Sequence, residues 1–190
     1  AGDASIALGG ERPKIVANLS SSLLDAKDFG LKPAPAESDA APAAKSGDGR
    51  MFPDDPLPFD ALKAVDAKID FTGQKVIRDP VTFDGLTVAL DLAAGKLTIG
   101  KIDAGVTGGK FGLSGGIDGG AKTPAVALKL TTRGVEAGTL MHTLGKSAIF
   151  SGGKMDTDID VKGAGNSVRQ IMAGLNGKVG MQMGPGKINN

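Results

Sequence analysis

Five times in this chain a Gly-Lys pair opens an alternating run of apolar and polar side chains: Gly95-Lys96, Gly109-Lys110, Gly153-Lys154, Gly177-Lys178 and Gly186-Lys187. Glycine supplies the positive φ of a tight hairpin turn, and a period of two sends successive side chains to opposite faces of a strand. The repeat predicts a mainly β protein: a curved antiparallel sheet of repeated hairpins. Its function is then sought on a surface or groove of that sheet.

The alternation also sorts residues onto faces. Val65, Ala67, Ile69 and Phe71 share one side of a strand, opposed by Asp66, Lys68 and Asp70; Leu86, Val88, Leu90 and Leu92 form the next, then Leu97 with Ile99, Phe111 with Leu113, and Val126, Leu128 and Leu130. One greasy face and one polar face is the pattern of an antiparallel sheet covered on one side. Two segments change to helical period. Ala137, Leu140, Met141 and Leu144, closed by Gly145, predict a short amphipathic helix near 136–145; Val168, Ile171, Met172 and Leu175, opened by Asn166 or Ser167, predict a second near 167–174.

Three regions follow. Residues 1–31 carry one or two strands of the β domain, with Lys14–Leu19 the clearer. Residues 32–58 are crowded with Pro, Ala, Ser and Asp and too poor in large apolar groups to offset their ordering entropy, which predicts a flexible loop. Residues 59–190 form the main β domain with both helices.

Composition removes several functions. A formal charge of +1, from 22 basic and 21 acidic residues, leaves no electrostatic footprint for nucleic acid, and the absence of Trp and Tyr removes the usual stacking platform for bases or sugars. With no cysteine there is no thiol chemistry and no zinc-thiolate site. His142, the single histidine, has no acid or nucleophile at a useful spacing. Asp156, Asp158 and Asp160 start like a calcium loop, but Val161 stands where that loop needs glycine. They read as the polar side of a strand. Gly145-Lys146-Ser147 lacks the preceding glycine of a phosphate loop, and Gly163-Ala164-Gly165 reads as a strand-to-helix turn. We expect no enzyme, no metal and no cofactor. No run of residues is long and apolar enough to cross a membrane, and the ends read as those of a segment of something longer, with any anchor or export signal outside it.

The stretch from Phe52 through Pro56-Leu57-Pro58-Phe59-Asp60 to Phe71, followed by Phe83–Leu92, Gly95–Ile99, Gly109–Gly115 and Gly165–Val179, resembles the C-terminal region of the AsmA family, and the likeness runs over residues 14 to 188. The resemblance implies a periplasmic protein of Gram-negative bacteria, held in the inner membrane by an N-terminal helix that is not in this chain. It also implies a long β-sheet whose apolar surface takes phospholipid or other acyl lipids for transport between the membranes and for outer-membrane homeostasis. Ile69, Phe71, Leu86, Leu90, Leu128, Ile159 and Met181 are the candidate lining residues of such a groove. The competing expectation is an assembly module that offers a sheet edge to outer-membrane or other envelope proteins.

Overall fold

The computed structural model describes residues 1–10, 12–25, 52–78, 81–136, 138–139 and 150–188. Strands β1 (Gly2–Ala7), β2 (Lys14–Asp25), β3 (Asp66–Arg78), β4 (Val81–Ala93), β5 (Lys96–Val106), β6 (Gly109–Asp118), β7 (Ala125–Glu136), β9 (Lys154–Ala164) and β10 (Asn176–Met183) make one open sheet of nine, in the order β1-β2-β3-β4-β5-β6-β7-β9-β10. Strands β8 (Phe150–Gly152) and β11 (Gly186–Ile188) pair separately. A short 3-10 helix, Phe59–Lys63, precedes β3, and helix α1, Val168–Ala173, joins β9 to β10.

The sheet is mixed, not purely antiparallel. Every neighbouring pair is antiparallel except β2 and β3, which run parallel with Lys14 beside Asp66 and Asp25 beside Ile77. A two-residue hairpin can only reverse the chain, whereas a connection of a dozen residues or more can bring it back to the end where it started. The long segment between Asp25 and Asp66 permits the parallel pair.

The expected pair of amphipathic helices is not borne out. Among the described residues the complete helical elements are one 3-10 turn and one short helix, and Gly138 and Thr139 are also helical. The expected helix near 136–145 lies outside the described residues apart from Glu136, which ends β7, and Gly138 and Thr139; His142 and the Gly145-Lys146-Ser147 run lie outside them too. The second helix forms, with Ser167 as N-cap, but stops at Ala173 because Gly174 caps it and Asn176 already belongs to β10. Leu175, counted in the helical stripe, therefore sits beyond the helix. The 3-10 turn fits the Asp60–Lys63 ion pair, 2.9 Å long, since its period of three stacks residues i and i+3.

The Gly-Lys repeat turns out to serve more than one role. Ala94 and Gly95, with φ of 53° and 80°, form the two-residue turn between β4 and β5, the primed geometry that matches strand twist. Between β5 and β6 the turn is Thr107-Gly108, one residue before Gly109-Lys110. Gly177 lies inside β10, opposite Val161, and Gly186 begins β11.

Residues 52–58, the last part of the segment whose composition reads as a loop, are irregular but tied down. Ser167 Oγ donates to Asp54 Oδ1 at 2.9 Å, the Arg169 guanidinium donates to the Phe52 carbonyl at 3.1 Å, and Leu57 N–H donates to the Asn166 carbonyl at 2.8 Å. The strap continues into the 3-10 helix, where Phe59 and Leu62 lie over Gly119, and runs on into β3, whose first N–H, that of Asp66, donates to the Pro13 carbonyl just before β2. It runs along the strand ends that carry the β4–β5 and β6–β7 turns, and residues 26–51 lie outside the described part of the chain.

A candidate apolar face across nine strands

Register turns the alternation of single strands into rows that cross the sheet. One row passes through Ala4, Ala17, Ile69, Leu90, Ile99, Gly115, Leu128, Val161 and Gly177; the next passes through Gly2, Leu19, Phe71, Val88, Ile102, Leu113, Leu130, Ile159 and Val179. A third runs nearer the strap, from Ile6 and Ile15 through Ala67, Leu92, Leu97 and Ile117 to Val126. All point to one side. A step between strands is about 4.8 Å, so the eight steps of the nine-stranded sheet carry the first two rows over roughly 38 Å.

All seven residues that sequence alone proposes for the groove fall on this face. Ile69 and Leu90 are cross-strand partners, and Leu128 continues their row; Phe71 and Ile159 lie in the next; Leu86 is opposite Gly73, and Met181 is opposite Thr157, one step further from the strap. Ile69, Phe71, Leu86, Leu90, Leu128 and Ile159 are half-buried, and Met181 is 62% exposed. Ile102 was not legible as their neighbour. The strand reads Leu97, Ile99, then Gly100-Lys101, then Ile102, and a register shift between Ile99 and Ile102 puts Ile102 back on the apolar side. A glycine inside an alternating run is the available signal for such a bulge.

Burial on this face is uneven. Among the described residues the buried apolar side chains are Ala17, Val76, Ala104, Val106 and Val135, and four of the five lie toward the strand ends away from the strap. There Val76 is opposite Phe83, Phe83 is opposite Val106, and Ala104 is opposite Phe111. Nearer the strap the rows are shielded by each other rather than by a second layer. Among the described residues no second sheet covers them; α1 packs on β9, with Ile171 against Gly163, and the 3-10 helix reaches β5.

The opposite face is polar, and several of its charges have partners. Arg133 donates to Asp158 Oδ1 at 2.6 Å, which holds the guanidinium pKa above its ordinary value, and Lys101 lies 3.0 Å from Asp103. Asp156 accepts from the Gly134 N–H at 2.6 Å, and Asp160 stands opposite Lys129 and Lys178. The three aspartates are thus the polar side of β9, and no cluster of three metal-ligating side chains occurs among the described residues. A hollow of about 1080 Å³ also opens on this face between Asp84, Thr87, Lys101, Lys110 and Arg133. Glycines at 105 and 112 leave that space by lacking side chains. It is open to solvent and lined by charges of both signs, which suits water better than hydrocarbon.

The profile of the AsmA family matches residues 5–190. The chain belongs to the AsmA family. Membership points to an envelope protein connected with lipid transport. No curated protein and no solved structure matches the chain. Among the described residues no helix is long and apolar enough to cross a membrane, a statement that does not extend to strands.

Proposed function

We propose that this AsmA-family domain binds acyl chains of phospholipid or a related lipid along its apolar face, as the periplasmic part of an inner-membrane-anchored protein that carries lipid between the two membranes. In this reading it is not an enzyme and uses neither cofactor nor metal, and its partners are lipid and membrane rather than nucleic acid. The observation that carries it is the pair of apolar rows that cross all nine strands with no second sheet over them among the described residues, α1 lying only over the β9 end of the strap side. An apolar surface of that extent in contact with water needs a ligand, a membrane or a partner. Each methylene moved onto it contributes about 0.8 kcal/mol. A single leaflet spans about 15 Å, half of the roughly 30 Å hydrocarbon core, so one acyl chain lying along a row would cross three or four strands.

The test is mass spectrometry of the purified protein, native and after organic extraction. Stoichiometric phospholipid or fatty acid is expected, with loss of the lipid in Ile69→Asp and Leu128→Asp variants that keep the far-UV circular dichroism of the parent. A protein that is free of lipid and takes up none from phospholipid vesicles refutes the reading. That outcome would favour the assembly module, whose support is that β1 and β10 are the edge strands of the sheet among the described residues.

A further inference from the structure

We propose that β10 is a self-association edge: two copies of the chain pair β10 against β10, antiparallel, about a two-fold axis through Gly180 and normal to the sheet. The inference stands apart from the lipid reading. Among the described residues strand β10 is bonded to β9 along one side only, and all eight of its residues are exposed. Val179 is 67% exposed, Met181 62% and Met183 48%, and all three project from the apolar face. Together they make a flexible, methionine-rich stripe of the kind that adapts to a partner surface.

An edge of this sort is normally blunted by proline, a bulge, an inward charge or a covering segment. Strand β10 has no proline, its register with β9 is unbroken from Asn176 to Met183, and its one charge, Lys178, is on the polar side. The strand is also self-complementary. With Gly180 on the axis, Val179 meets Met181 of the second copy, Gly177 meets Met183, and Lys178 meets Gln182. Apolar residues face apolar or glycine neighbours, and no like charges are opposed. Centring the axis on Lys178 would set that lysine against itself, and centring it on Val179 would set Met183 against Leu175, outside the strand. An axis normal to the sheet keeps both apolar faces on the same side, so the row ending at Val179 continues into the second copy.

The other open edge, β1, could instead receive β10 head to tail. That contact does not close on itself and would build fibres rather than dimers. The two-fold pairing engages about seven residues a side, fewer than the 20–30 of a standard stable interface, so a weak, concentration-dependent dimer is expected.

The chain has no cysteine, which makes the register directly testable. A Cβ at Gly180 would find its nearest atoms, on Asp158, 3.9 Å away, so Gly180→Cys fits without strain. Directly opposed residues of an antiparallel pair have Cα atoms about 4.5–5.5 Å apart, inside the roughly 4.4–6.8 Å span of a disulfide. Under mild oxidation Gly180→Cys should give at least tenfold more covalent dimer than Ser5→Cys on the β1 edge. Sedimentation of the cysteine-free parent should show a reversible dimer at about 100 µM, weakened at least tenfold by Val179→Lys with Met181→Lys. A parent that stays monomeric at several hundred µM overturns the proposal. So do equal cross-linking at residues 5 and 180 and assembly into open-ended polymers.

Discussion

Replacing Ser167 with alanine is the sharpest test of how the strap is held. The side chain is 1% exposed and does two things: its Oγ accepts from the Gln170 N–H at 3.2 Å, capping α1, and donates to Asp54 Oδ1 at 2.9 Å. Loss of an N-cap costs about 1 kcal/mol. A hydrogen bond to a carboxylate is worth about 1.5–3 kcal/mol, but the Asp54 side chain is 55% exposed and regains water when released, which leaves about 1 kcal/mol of that. The sum is about 2 kcal/mol, close to a thirtyfold change in the folded-to-unfolded ratio. With no Trp or Tyr to report by fluorescence, the assay is urea unfolding followed by far-UV circular dichroism. At a slope of about 2–3 kcal/mol per molar urea, the midpoint should fall by roughly 0.7–1 M with the slope unchanged. In the Asp54→Ala background the same substitution should cost about 1 kcal/mol less, because the shared hydrogen bond is already gone. A midpoint shift below about 0.2 M in the single variant would show that this hydroxyl does not hold the strap.

Two further outcomes follow from burial and charge. Val135→Ala, at a side chain 1% exposed, should destabilise by about 2 kcal/mol through lost transfer energy and a residual cavity, whereas Val179→Ala, at 67% exposed, should change the monomer by less than about 0.5 kcal/mol in the same urea titration. The Asp60 carboxyl, hydrogen-bonded to Lys63, has its pKa held below the ordinary 3.8. Its contribution is present above the unfolded value and lost as pH falls through the lower folded value, so carboxyl NMR should find Asp60 titrating late in acid and returning to the ordinary range in Lys63→Ala.

The greasy face was legible residue by residue because side-chain direction in a strand depends only on parity. Ile69, Leu90 and Leu128 could be placed on a common face before their strands were known to be aligned, since a slip of one residue would have buried Lys68 or Lys129 instead. Parity failed where the backbone adds a residue, and so Ile102 was missed. The parallel partnership of β2 with β3 was hidden because nothing in a Pro- and Ala-rich connection says to which end of the sheet it returns. The strap was hidden for another reason: Asp54 and Ser167 are 113 residues apart, and their hydrogen bond has no local pattern. Gly-Lys marks a turn only in part, because a glycine ahead of a lysine fits the start of a strand as well as the end of a turn.

That parallel partnership sets an order of events. From β4 to β7 each strand pairs with the one before it across a short connection, so each step closes a small loop. Placing β2 beside β3 means closing roughly 40 residues, from Asp25 to Asp66, which costs about 2.7 kcal/mol more entropy than a two-residue hairpin on a logarithmic scale. Among the strands of this sheet β1 and β2 are made before the rest, and β2 has no second neighbour until β3 follows roughly 40 residues later. The strands made first are thus joined to the rest of the sheet by its most distant contact in sequence, the kind that forms slowest.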